Sequence, residues 1–121
     1  ANKTQYKIAP LYKNHEKYGF QEPAYYFLPS LGPSSLTKIP NKYFDNNKSN
    51  QDYIIVGTLG WMNRKGEKSI HFFKFDDNNF AKKEFFELND RVRDIIFDAD
   101  KELFYFWTDT TSTLNVLKKI Q

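Results

Sequence analysis

Between Asp52 and Asp76 the chain reads DYIIVGTLGWMNRKGEKSIHFFKFD, and between Glu102 and Ile120 it reads ELFYFWTDTTSTLNVLKKI. Both stretches have the same order: an acidic residue, an apolar run, a polar loop and a second apolar run. Each is preceded by one more short run, SSLTKIP (34–40) and VRDIIFD (92–98). Short apolar runs bounded by turn residues predict strands, and helical periodicity is nearly absent. Recurrence at about 50 residues with three or four strands per unit is the signature of propeller blades. The unbroken runs YIIVG and LFYFW suit a sheet covered on both faces.

Working outward, the pattern predicts strands near Tyr25–Leu28, Ser35–Ile39, Asp52–Leu59, Lys68–Phe75, Glu84–Leu88, Val92–Phe97, Leu103–Thr108 and Thr113–Lys119. The expected fold is all-β: about two blades, built from antiparallel four-stranded sheets. Residues 24–90 form a complete blade and residues 91–121 a second, incomplete one. Residues 1–23 form an N-terminal segment in which TQYKIAPLY is a candidate closing strand, confined to an edge or an end by Pro10.

The bulk composition removes several function classes. The 121 residues hold no cysteine, so disulfides and thiolate metal sites are excluded. No apolar run approaches the roughly 20 residues of a membrane helix. Twelve Phe and eight Tyr favour strands. The net charge of +3 is too weak to demand nucleic acid or an anionic membrane. KSIHFFKFDDNNFAKKEFF (68–86) interleaves basic and aromatic residues, the pattern of single-strand binding, but Asp76, Asp77, Glu84 and Glu87 interrupt it. Nucleic acid is therefore not expected. The N-terminus has no apolar signal core. Either the chain is cytosolic or a signal or larger upstream region has been removed; Ala1 in place of Met favours the second reading, or a residue left by cloning.

The residues with the most chemistry to explain are Arg91 and Arg93, at the head of VRDIIFD. On a strand, residues two apart share a face about 6.5–7 Å from each other. Asp90 and Asp94 then lie on the opposite face. Two guanidinium forks pointing one way form a receptor for a planar anion with several carboxylates. The competing reading is structural ion pairs with a neighbouring blade. The two histidines, His15 and His71, lack a second ligand type at metal spacing. DADKE (98–102) departs from a calcium loop at its sixth and twelfth positions and reads as a tight turn. Asp109 reads as a turn cap. Trp61 and Met62 are apolar residues in a polar loop, expected to pack beneath it, cover a face or meet a partner. No catalytic residue and no metal ligand is assigned.

NDRVRDIIFDADKELFYFWTD followed by TLNVLKKI resembles the end of the soluble quinoprotein glucose/sorbosone dehydrogenases. YYFLPSLGPSSL (25–36) and DYIIVGTLGWMNRKGEKSIHFFKFD are similar to that family's preceding blade. The match runs from Pro23 to the end. The resemblance implies a six-bladed propeller, a pyrroloquinoline quinone (PQQ) cofactor held by Arg91 and Arg93, Tyr25 on the sugar side, and a periplasmic or secreted location. It also implies calcium and a catalytic histidine, but in blades that nothing here matches, so the isolated chain is expected to be inactive. Gly60 stands where relatives often carry a cofactor-contacting Lys or Arg, with Arg64 or Lys65 as candidate substitutes. Leu28 stands where many have Trp. Lys101 stands where many have Gly, which predicts a left-handed residue there. The expected partners are the remaining blades of a longer chain, or further copies in a trimer. The alternative is a non-enzymatic binding or assembly module derived from the propeller.

Overall fold

The computed structural model describes residues 16, 19–21, 23–40, 43, 52–76 and 79–118. The candidate closing strand TQYKIAPLY and His15 lie outside the described residues. Among the described residues the secondary structure is strand, with no α-helix. Strands β1 (Pro33–Ile39), β2 (Asp52–Thr58), β3 (Ser69–Asp76) and β4 (Asn79–Glu87) form one antiparallel sheet in chain order. Strands β5 (Val92–Asp98), β6 (Leu103–Thr108) and β7 (Thr113–Lys118) form a second. The fold is all-β, with sheets of four and three strands as in propeller blades and no closed barrel.

The two sheets meet through one apolar layer. Ile39, Ile55, Ile70 and Phe72 from the first sheet enclose Val92, Ile95 and Phe106 from the second, all buried. Fully burying such a side chain is worth about 1.5–3 kcal/mol. The closest approach is at Gly57, where a Cβ would fall 2.6 Å from Val92 Cγ1 and 3.1 Å from Ser35 Oγ. Glycine is needed there to let β5 lie against β2. The Ser34 hydroxyl lies within hydrogen-bond reach of both the Gly57 and Val92 carbonyls, one in each sheet. At the other end of the sheets the Tyr43 hydroxyl donates to the Ala99 carbonyl at 2.9 Å.

Strand β5 contains a bulge. Val92 pairs with Thr108 and Asp94 with Trp107, which leaves Arg93 as the extra residue. The bulge changes the strand's parity, so Val92 and Ile95 both face the first sheet although they are three residues apart.

Several sequence expectations need correction. Residues 25–27 are not a strand. Pro23 and Pro29 bracket the segment, and its rings lie across the outer face of the first sheet instead of pairing with an edge. Tyr25 stands 4.8 Å from Phe73, and Phe27 stands 5.2 Å from His71, both edge-on. Strand β4 starts at Asn79 rather than near Glu84, because Phe80 and Ala81 continue the ladder opposite Phe75 and Lys74. In the β5–β6 turn the left-handed residue is Glu102 (φ 56°), one position after Lys101. The Asp98 carboxylate accepts from the Asp100 and Lys101 amides and closes that turn.

Gly57→Ala is expected to destabilise the fold by about 1–3 kcal/mol, the usual cost of overfilling a core. The lesion should be partly relieved in the Gly57→Ala, Val92→Ala double variant. A double-mutant cycle on urea midpoints measures the coupling; strictly additive effects would refute the close approach of these strands.

Candidate functional site

Four chain segments come together at one end of the two sheets. They are residues 31–32 leading into β1, the β2–β3 loop (59–68), residues 88–91 leading into β5, and the β6–β7 turn (109–112). Both arginines that stood out in the sequence lie here.

A buried carboxylate fixes their approach. Asp90 is 7 % exposed and accepts from the amides of Arg91 (2.7 Å), Thr110 (2.9 Å) and Thr111 (3.1 Å), and from the Thr111 hydroxyl (2.6 Å). Burial alone would raise its carboxyl pKa. The hydrogen bonds from Thr111 and Thr110 outweigh that and hold it well below the ordinary carboxylate range. Asp90 thereby ties the start of β5 to the β6–β7 turn. The Asp109 amide adds a second tie, donating to the Arg91 carbonyl at 2.9 Å.

The arginines converge on one atom. Arg93 Nη2 donates to Asp109 Oδ2 at 2.8 Å, and Arg91 Nη1 stands 3.7 Å from the same oxygen. Arg91 Nε also donates to the Leu59 carbonyl of the first sheet at 3.3 Å. Among the described residues the carboxylate shared by both arginines belongs to their own sheet, in the β6–β7 turn. The side chains are 35 % (Arg91), 46 % (Arg93) and 37 % (Asp109) exposed, so solvent and solutes reach the cluster. Sequence reasoning treated Asp109 only as a turn cap. The missed signal was the antiparallel register, which brings the residue after β6 beside the head of β5.

The β2–β3 loop is built around a second buried carboxylate. Glu67 Oε2 accepts from the Trp61, Met62 and Arg64 amides, and Oε1 accepts from Arg64 Nε at 2.7 Å. Burial again pushes the carboxyl up, but these bonds, led by the Met62 amide and the Arg64 guanidinium, bring its pKa down to about 2. Arg64 is thus paired with Glu67 while its side chain stays 45 % exposed. Gly60 takes φ +59°, and a Cβ there would sit 2.8 Å from both Glu67 Cβ and Lys68 N. The backbone therefore requires glycine at this position. The scaffold leaves Trp61 83 % and Met62 65 % exposed rather than packed beneath the loop.

Two other residues lie apart from this cluster. Tyr25 lies on the far face of the first sheet, in an apolar groove of about 610 Å³ lined by Phe27, Leu36, Ile54, Val56 and Phe73. His71 is fully buried in β3, with Nε2 at 2.8 Å from the Gly66 carbonyl and its ring stacked on Phe85.

Compared with known proteins, residues 1–117 match the family model described as glucose/sorbosone dehydrogenase. No curated protein and no solved structure matches the chain.

The depressed pKa of Glu67 fixes a sign. Its folded pKa lies below the unfolded value of 4.5, so its contribution is complete above that value and is lost as pH falls toward 2. Glu67→Gln is expected to lower the melting temperature at neutral pH and to flatten the decline measured between about pH 5 and pH 2. An unchanged acid profile in the variant would refute the role given to this carboxylate.

Proposed function

Because this chain belongs to the glucose/sorbosone dehydrogenase family, we propose that it is the C-terminal, cofactor-holding part of a PQQ-dependent sugar-dehydrogenase-like propeller. The observation that carries this reading is the convergence of Arg91 and Arg93, both open to solvent, at one end of the sheets. PQQ is a planar tricarboxylate, and its quinone supplies the electron-accepting chemistry when it is bound. The donor set fits such a guest: each guanidinium carries several N–H donors in a fixed plane and binds carboxylates in pairs. Arg91 is oriented by the Leu59 carbonyl and Arg93 by the bulge. Tyr25 is assigned to the sugar side of the complete propeller on the resemblance alone, since its groove lies on the far face of the first sheet, away from the arginines. Among the described residues no cluster of three or more His, Asp or Glu is placed to hold a metal ion, so no calcium ligand is proposed in this chain. The general base is likewise assigned to other blades, and the chain alone is proposed to lack dehydrogenase activity.

A second reading, a non-enzymatic assembly module, is favoured by a separate observation. On the outer face of the second sheet Ile96, Trp107, Leu114 and Val116 are 42–66 % exposed. The first sheet's outer face carries the apolar groove. Two different faces seeking cover can make a head-to-tail contact, and such contacts form rings when the rotation between neighbours closes. The occupants are then the other blades of a longer chain, or two further copies in a six-bladed trimer.

Two measurements separate the readings. Titrating the chain with PQQ and calcium is expected to shift the cofactor's absorbance and raise the melting temperature, and Arg91→Ala with Arg93→Ala is expected to abolish both shifts. Absence of both in the unmodified chain removes the quinoprotein reading. Light scattering at micromolar concentration is expected to give a trimer if the chain assembles with itself, and a clean monomer rules the ring out.

A further inference from the structure

We infer that Asp109 is a built-in counter-anion of the arginine pair, which makes the site select guests bearing two or more carboxylates. The inference rests on the reading of Arg91 and Arg93 as an anion site.

A single oxygen, Asp109 Oδ2, serves both guanidiniums, at 2.8 Å from Arg93 and 3.7 Å from Arg91. It therefore stands where a guest's first carboxylate oxygen would stand. Its backbone cannot retreat. The Asp109 amide is bound to the Arg91 carbonyl, its carbonyl accepts from Ser112, and the next two amides are held by Asp90. Only rotation of the side chain releases the arginines. The other nearby carboxylates are already engaged: Asp90 binds the turn, and Asp94 accepts from the Ile95 amide. Asp109 is thus the fixed competitor, present at the high effective concentration of a tethered ligand.

A monocarboxylate can make paired bonds to only one guanidinium at a time and must displace the tethered Asp109 to do so. A guest with two or three carboxylates spans both guanidinium planes and gains the paired bonds that one oxygen cannot give. The contact is more than one-third exposed, so water weakens the internal pair and leaves it displaceable. The bulge at Arg93 sets this arrangement, because it turns Arg93 toward the end where the β6–β7 turn carries Asp109.

The test is calorimetric titration of the 121-residue chain at low salt with benzene-1,3,5-tricarboxylate and with benzoate. Circular dichroism checks that each variant is folded. The tricarboxylate is expected to bind the unmodified chain and benzoate is not. In Asp109→Asn and Asp109→Ser the tricarboxylate should bind roughly two- to fivefold tighter, and benzoate should become detectable. Equal or weaker tricarboxylate binding in both variants overturns the inference. If that binding is still lost in Arg91→Ala with Arg93→Ala, the anion site itself survives. No tricarboxylate binding to any form overturns both.

Discussion

The approach of β5 to Gly57 is the constraint on which the rest depends. A side chain at position 57 would occupy the space of the Val92 methyl group, and only its absence lets the two sheets share one apolar layer. Val92 is fully buried at that contact. The residue before it is therefore delivered beside Leu59, at the end of the partner sheet, where its Nε finds a carbonyl. The position of Arg91 follows from packing, not from any interaction designed around a ligand. Arg93 then follows from the bulge. Without the extra residue, the parity that buries Val92 would turn Ile95 outward and leave the core short of one side chain.

Two buried carboxylates make that end of the molecule rigid. Asp90 and Glu67 do the same job in different loops: each gathers backbone amides that no strand partner satisfies. Buried N–H groups left unmade cost about 1–3 kcal/mol each, so a carboxylate that collects several is strongly held in its ionised form. Loops carry function when a scaffold holds them in place. Here the scaffold is a pair of acids under the loops, and the groups left facing water include Arg91, Arg93, Trp61 and Met62.

What the sequence disclosed and what it hid divide along one physical line. Strands with continuous apolar runs, such as YIIVG and LFYFW, are legible from that composition, although in LFYFW Phe106 is buried while Trp107 on the other face is exposed. The start of β4 is not, because Lys82 and Lys83 interrupt the run that Phe80 and Ala81 continue. The aromatic segment at Tyr25 had the composition of a strand and took another use for its rings, across a sheet face. The arginine pair was legible as a spacing. Its convergence on Asp109 was not, since that depends on which residue the β6 register brings opposite β5. Local pattern reports what a segment buries; it does not report what lies sixteen residues away across a turn.

The two outer faces are not equivalent, and the difference bears on how the sheets are completed. The first sheet already wears a cover: the Tyr25 and Phe27 rings lie over Phe73 and His71 and leave a groove, not a flat face. The second sheet has no such cover among the described residues, and Ile96, Trp107, Leu114 and Val116 stand open on one face. Apolar area of this kind marks an interaction surface more often than a free one. A flat apolar face can pair with a copy of itself about a twofold axis, but the grooved face and the flat one also differ in shape and offer each other a second kind of contact. They can meet each other, and that contact propagates around an axis in one direction only. The asymmetry is compatible with the proposed cover by further sheets of the same kind in ring order, whether they come from one chain or several. In that order the ends carrying Arg91 and Arg93 lie on a common side of the ring.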